Sequence, residues 1–216
     1  MILDDDYYEE KEEINLSDRE VFTKIWFKPK MVFEFIHSKN YDKYMLLLVV
    51  LYGVGQIIDR MYERGFGSGA TFVGSLFAVV IVGGLVGWLG ALIYAALMSW
   101  TGSWIGGKSS TTPIYTVLAY SYIPANVGVI LWGIAVLFIE SGALDSISNS
   151  NLIEQVLLAI VLIIQVVLGI WSLGLLVIGL SEIQKISIGK AILNVFLPWL
   201  VIVLPLIILA IVLVTL

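Results

Sequence analysis

Few residues in this chain of 216 can do chemistry, and their spacing narrows the options further. There is one histidine, His37, and no cysteine. A lone imidazole supports neither a His-based dyad nor a multi-histidine metal site, and no thiolate is available as nucleophile or ligand. Gly106-Gly107-Lys108-Ser109 is too short for a phosphate-cradling Walker loop and reads as a tight turn. Carboxylates are plentiful only near the start, where Asp4, Asp5, Asp6, Glu9, Glu10, Glu12 and Glu13 face Lys11. No metal, cofactor or catalytic group is expected. No basic stripe suited to nucleic acid is present either.

The elements that would position these residues are apolar. Hydrophobic residues make up 59% of the chain and charged ones 13%, with a mean hydropathy of +0.97. A soluble domain needs a charged shell of about a quarter of its residues. Lipid must therefore solvate most of this chain. Five apolar stretches, at 44–58, 71–98, 113–139, 152–180 and 191–216, approach or exceed the twenty or so residues that cross a bilayer. The expected fold is all-α, a polytopic membrane protein with a five-helix transmembrane bundle over residues 44–216.

Before the bundle, residues 1–16 read as an acidic disordered tail and 17–43 as an amphipathic helical segment on the cytoplasmic side. Acidic first residues leave no basic n-region for a cleavable signal peptide. Ser17 and Glu20 have capping-box spacing, and Pro29 should stop or kink the helix they open. Val21, Phe22, Ile25 and Trp26, then Val32, Phe33 and Ile36, fall on one helical face. That face either inserts into the lipid interface or packs on the bundle. Ten lysines and arginines lie on the N-terminal side of the membrane in the five-span arrangement, against Arg60 and Arg64 on the other. The bias places the N-terminus in the cytoplasm and the C-terminus outside.

Polar residues at membrane depth are uncharged: Tyr120, Tyr122 and Asn126 on the third stretch, Gln165 on the fourth, and Asn194 near the inner end of the fifth. The absence of an ionisable group at mid-depth argues against a proton-coupled transporter or an ion pump. An Asn126–Gln165 hydrogen bond between helices is the simplest expectation. A polar groove for a small solute or a lipid, between the third and fourth spans, is the alternative. Gly83, Gly87, Ala91 and Ala95 recur four apart on the second stretch, so another helix can approach closely, from within the chain or from a second copy. Trp100, Trp104 and Tyr115 read as an interfacial aromatic belt.

Four segments carry a family resemblance: IWFKPK at 25–30, GGK at 106–108, PIYTVLAYSYIP at 113–124 and GLSEIQKISIGKAI at 179–192. In their order the chain resembles the Yip family, membrane proteins named for interacting with Ypt/Rab GTPases, and looks most like its bacterial branch. The eukaryotic branch has a DLYGP-type element where this chain has IWFKP. The resemblance implies a helical membrane domain that acts as a non-enzymatic adaptor or scaffold in a bacterial cytoplasmic membrane, with a membrane-protein partner and possible self-association. Phe22, Trp26, Pro29, Phe33, Lys108 and Lys185 are the candidate docking residues on the cytoplasmic face.

Overall fold

The computed structural model describes residues 14–63, 72–138 and 152–215. Two short helices, α1 (Asp18–Lys24) and α2 (Pro29–Ser38), precede α3 (Met45–Glu63), α4 (Phe72–Trp104), α5 (Thr111–Ser121), α6 (Ile123–Phe138), α7 (Leu152–Gln184) and α8 (Ile188–Thr215). The described residues contain no strand. The capping box forms as the spacing predicts. The Ser17 hydroxyl accepts from the Glu20 amide, and the Glu20 carboxylate accepts from the Ser17 amide. Pro29 opens α2, where its missing N–H has no intrahelical partner to lose.

Three helix ends use the same stop. Asn40, Gly106 and Lys185 adopt left-handed backbone, with φ of 49°, 91° and 55°. Behind each, the amide of the following residue reaches back five positions, as from Gly107 to the Gly102 carbonyl at 2.9 Å. Only Gly106 takes this conformation without a Cβ penalty.

Three stretches are long and apolar enough to cross a membrane: Val79–Trp104, Gln155–Gln184 and Ile188–Leu213. A fourth is the bent pair α5–α6, whose axes differ by 40° at Tyr122. The bend follows from Pro124, which leaves the Tyr120 carbonyl without its usual helical donor; the Tyr122 amide supplies one instead. Ser172 of α7 accepts from the Ala125 amide at 3.0 Å, so the backbone at the bend is satisfied at depth. The Met45–Ile58 part of α3 is apolar but shorter.

Burial is concentrated at one end of the molecule. Ala91, Ala95 and Met98 of α4, Leu175, Leu180 and Ile183 of α7, and Ala191 and Val195 of α8 join the α1, α2 and α5 side chains in one cluster. Away from this packed pole much of the surface of the long helices is bare. Phe77, Ile81 and Leu85 of α4, Ile163, Val166 and Ile170 of α7, and Trp199, Leu206 and Leu213 of α8 are all more than half exposed. An apolar surface of this extent is stable only in lipid or against another membrane helix.

The amphipathic face of α1–α2 lies against the bundle. Val21, Ile25, Val32 and Phe33 have no exposed area, and the Phe33 ring abuts Gly179 of α7. Of the two placements open to that segment, protein packing is the one observed for its apolar stripe. The ordered core begins at Ile14 and Leu16, inside the stretch read as tail.

Candidate functional site at the packed pole

Asp18 ties the N-terminal helices down. Its carboxylate accepts from the hydroxyls of Tyr41 (2.7 Å) and Tyr44 (2.6 Å) and from the Lys43 ammonium (2.5 Å). Tyr41 stacks obliquely on Tyr44 and on Tyr120, and Phe22 meets Tyr44 edge-on at 5.2 Å. The knot joins α1, the 39–44 connection and α5. The Lys43 and phenol hydrogen bonds hold the Asp18 carboxyl well below the usual carboxylate range. The hydrogen bond to Asp18 raises Lys43, and burial first, then Asp18, raises Tyr41.

The sign of the pH dependence follows. A depressed carboxyl contributes stability above its unfolded value and loses it only as pH falls through the folded one. A raised ammonium contributes below its unfolded value and loses it as pH rises through the folded one. The knot should therefore persist below pH 4 and come apart only in stronger acid or strong alkali. Asp18→Asn should abolish this resistance, read as faster amide exchange across 18–38 at pH 4–7 than in the parent. Equal exchange in the two proteins would refute the assignment.

The connections at this pole form a second feature. The Ser109 hydroxyl donates to the Ile183 carbonyl at 2.7 Å, and Lys190 donates to the Ile105 carbonyl at 2.9 Å. Lys30 lies 3.7 Å from Glu182, which Lys185 holds at 2.6 Å. The 105–110 and 184–190 connections and the start of α2 thus make one continuous face. Lys28, Lys30, Lys108, Lys185 and Lys190 are all exposed on these segments. In the α1–α2 turn beside Lys28, Phe27 stands 88% exposed.

The expected docking residues divide between surface and core. Lys108 and Lys185 are exposed; Phe22, Trp26 and Pro29 are half-buried; Phe33 is sealed in the core and unavailable to a partner. The helical stripe that identifies Phe33 as apolar is the stripe that buries it. Phe27 was missed because it sits in a turn, off the periodicity that marks its neighbours.

The expected Asn126–Gln165 hydrogen bond is absent. Asn126 donates to the Leu48 carbonyl of α3 at 3.0 Å, and Gln165 donates to the Gly128 carbonyl of α6 at 3.1 Å. Each amide N–H finds a backbone acceptor on a neighbouring helix, while the Asn126 oxygen is buried without a hydrogen-bond partner among the described residues. The Gln165 contact depends on Gly128, where a Cβ would collide with the Gln165 side-chain oxygen. Tyr120 joins the Asp18 knot, and Tyr122 stacks flat on Tyr52 at 3.9 Å. The four side chains of the expected polar groove therefore address four different partners. Tyr115, read as an interfacial anchor, is instead buried, while Trp100 and Trp104 are exposed and pack edge to face.

The small-residue stripe is used within the chain. A Cβ on Gly87 would sit 2.6 Å from the Gly53 Cα, and one on Gly83 would sit 2.7 Å from the Val54 Cα. Ala91 and Ala95 continue the stripe into the core. Gly53 of α3 is the partner that sequence reading overlooked, although Gly53-Val54-Gly55 was visible as a pair of small residues.

Near the α4 and α7 ends, Gln184 and Asn194 are buried with Thr101, whose hydroxyl lies 3.1 Å from the Asn194 oxygen. Gly102 and Gly107 leave room for the Gln184 amide. Among the described residues no group of three His, Asp or Glu is placed to hold a metal ion.

Bare apolar helices anchored in a single polar-capped core define a multi-pass helical membrane protein. The profile described as Yip1 domain matches residues 23–210, nearly the whole described structure. The chain therefore belongs to the Yip family. No match to it is found among curated proteins or among solved structures.

Proposed function

We propose that the protein is a non-enzymatic scaffold of five spans, with its N-terminus in the cytoplasm of a bacterium, that recruits other membrane components through the packed pole. Exposed Phe27 next to Lys28, at the pole that also carries exposed Lys30, Lys108, Lys185 and Lys190, is the observation that carries this reading. An exposed aromatic on a face rich in cations suits recognition, because the ring is available to a pocket and the charges set orientation and approach. For the span count, the 19 residues of α3 reach about 28 Å at 1.5 Å per residue, close to the hydrocarbon thickness. The lysines gathered at the pole support its cytoplasmic placement.

A photo-crosslinking residue at position 27 or 108, in intact membranes, should give the same discrete protein adduct. One at lipid-facing Ile163 should not. If neither pole position yields an adduct from a correctly inserted chain, recruitment through this face is wrong.

A further inference from the structure

Where α4 and α7 end and α8 begins, the pole encloses three polar side chains, one from each helix. Thr101 and Asn194 have no exposed area, and Gln184 is 1% exposed. Their hydrogen bonds do not close. Both polar atoms of the Gln184 amide and the nitrogen of the Asn194 amide have no partner among the described residues. Thr101 has one proton to give, and the Leu97 carbonyl at 2.9 Å is nearer than the Asn194 oxygen at 3.1 Å. Turning the Asn194 amide over would let its nitrogen donate to the Thr101 oxygen, but would leave its own oxygen unpaired. In either orientation at least three buried amide atoms are left over. Burial takes such atoms out of water without returning a hydrogen bond, so native interiors pair nearly all of them.

The two amides converge on one spot. A Cβ on Gly102 would lie 2.5 Å from the Gln184 oxygen and 3.1 Å from the Asn194 nitrogen. The Gln184 amide also lies against Gly107, whose N–H returns to the Gly102 carbonyl at 2.9 Å. We propose that Gln184 and Asn194 form a binding site for internal water, which bridges the two amides beside Gly102. The site selects that ligand. Burial this complete offers no surface to a lipid, a peptide or a larger solute. None of the three side chains is charged, and an ion buried without a counter-charge is costly. Donors and an acceptor are left over together, and water serves both. It donates to the Gln184 oxygen and accepts from the amide nitrogens, in keeping with the two to four bonds a buried water makes. The bridge ties the ends of α4 and α7 to the root of α8, behind the turn that carries Lys108.

The test is water-edited solid-state NMR on the full chain in liposomes, with nitrogen-15 in the Gln and Asn side chains. In mildly acidic buffer amide protons exchange slowly, so transfer from water then reports proximity. It should reach the Gln184 and Asn194 amides at least about threefold faster than the Gln165 amide, which is bonded to the Gly128 carbonyl. Asn194→Leu should slow transfer to Gln184 at least about twofold, because one of the groups holding the water is gone. The thermal midpoint should fall in Asn194→Leu and partly recover when Gln184→Leu is added, since an apolar pair leaves less to satisfy. Transfer to Gln184 and Asn194 no faster than to Gln165 overturns the proposal. So does a direct Gln184–Asn194 hydrogen bond with neither amide near water. Unchanged transfer to Gln184 in Asn194→Leu would also overturn it, because the water would then not be a bridge.

Discussion

Gly53→Leu should separate α3 from α4. Even a single Cβ at Gly53 would sit 2.5 Å from the Gly87 Cα and would press still harder on the Gly83 carbonyl. Both obstacles are backbone, so no rotamer change can relieve the clash, and the helices must move apart. Helix association in lipid depends on close dispersion contact and lacks a hydrophobic drive, so separation forfeits most of what holds the pair. Overpacking a tight site costs about 1–3 kcal/mol when side chains can yield; with backbone on the opposing side the loss should exceed about 3 kcal/mol. The cysteine-free chain offers a direct readout. Val50→Cys with Gly84→Cys should form a disulfide in the parent, where a Cβ at Gly84 lies 3.3 Å from a Val50 methyl, and should fail to form it with Gly53→Leu added. Gly90→Ala is the control. No atom lies within 4 Å of its Cβ position, so the thermal midpoint should hardly move. Equal disulfide yields with and without Gly53→Leu would show that the seam is not tight.

Phe33→Ala should release the N-terminal helices while leaving the long helices inserted. Phe33 is fully buried, with its ring against Gly179 and near Val117. Removing a buried phenylalanine costs about 3–5 kcal/mol in transfer and cavity terms together. That loss falls on a small unit. α1 and α2 together have 17 residues and are held by one apolar stripe and the Asp18 knot. Trypsin should cut the variant at Lys24 or Lys30 at least about tenfold faster than the parent, since 1.4 kcal/mol in local opening already corresponds to tenfold. Cleavage after Lys108 serves as the internal reference. Uniform acceleration at all sites would indicate global unfolding and contradict a local latch.

Much of this architecture was legible in the residues. The five apolar stretches correspond to α3, α4, α5–α6, α7 and α8, because a run of aliphatic residues allows few outcomes besides a lipid-facing helix. Ser17–Glu20 and Pro29 marked their helix boundaries because capping and proline geometry are local. The pairings were not legible. Periodicity assigns Phe33 to an apolar face without saying whether protein or lipid covers it, and composition alone favoured neither. Asn126 and Gln165 looked like mutual partners because they are the only amides near mid-depth in adjacent spans. In the fold each meets a backbone carbonyl, and carbonyls are everywhere in the sequence. Phe27 and the lysine face were hidden for a related reason. They come from three separate segments, and it takes the hydrogen bonds from Ser109 and Lys190 and the Lys30–Glu182 ion pair to show that those segments adjoin.

The one-sided distribution of burial has a mechanical consequence. Tyr94 donates to the Val195 carbonyl at 2.8 Å, near the last buried residues of α8 and one turn before Pro198. Beyond it, large side chains from Trp199 to Leu213 point into the surroundings. α8 is thus clamped at its root and cantilevered beyond it. A helix held in this way meets a thicker or thinner bilayer by tilting about its root, and mismatch costs only a fraction of a kcal/mol per Å. Lateral forces gathered along the free length act as torque on the clamp at Tyr94 and Val195. The free length of α8 is therefore a lever arm, with its fulcrum at the Tyr94–Val195 contact.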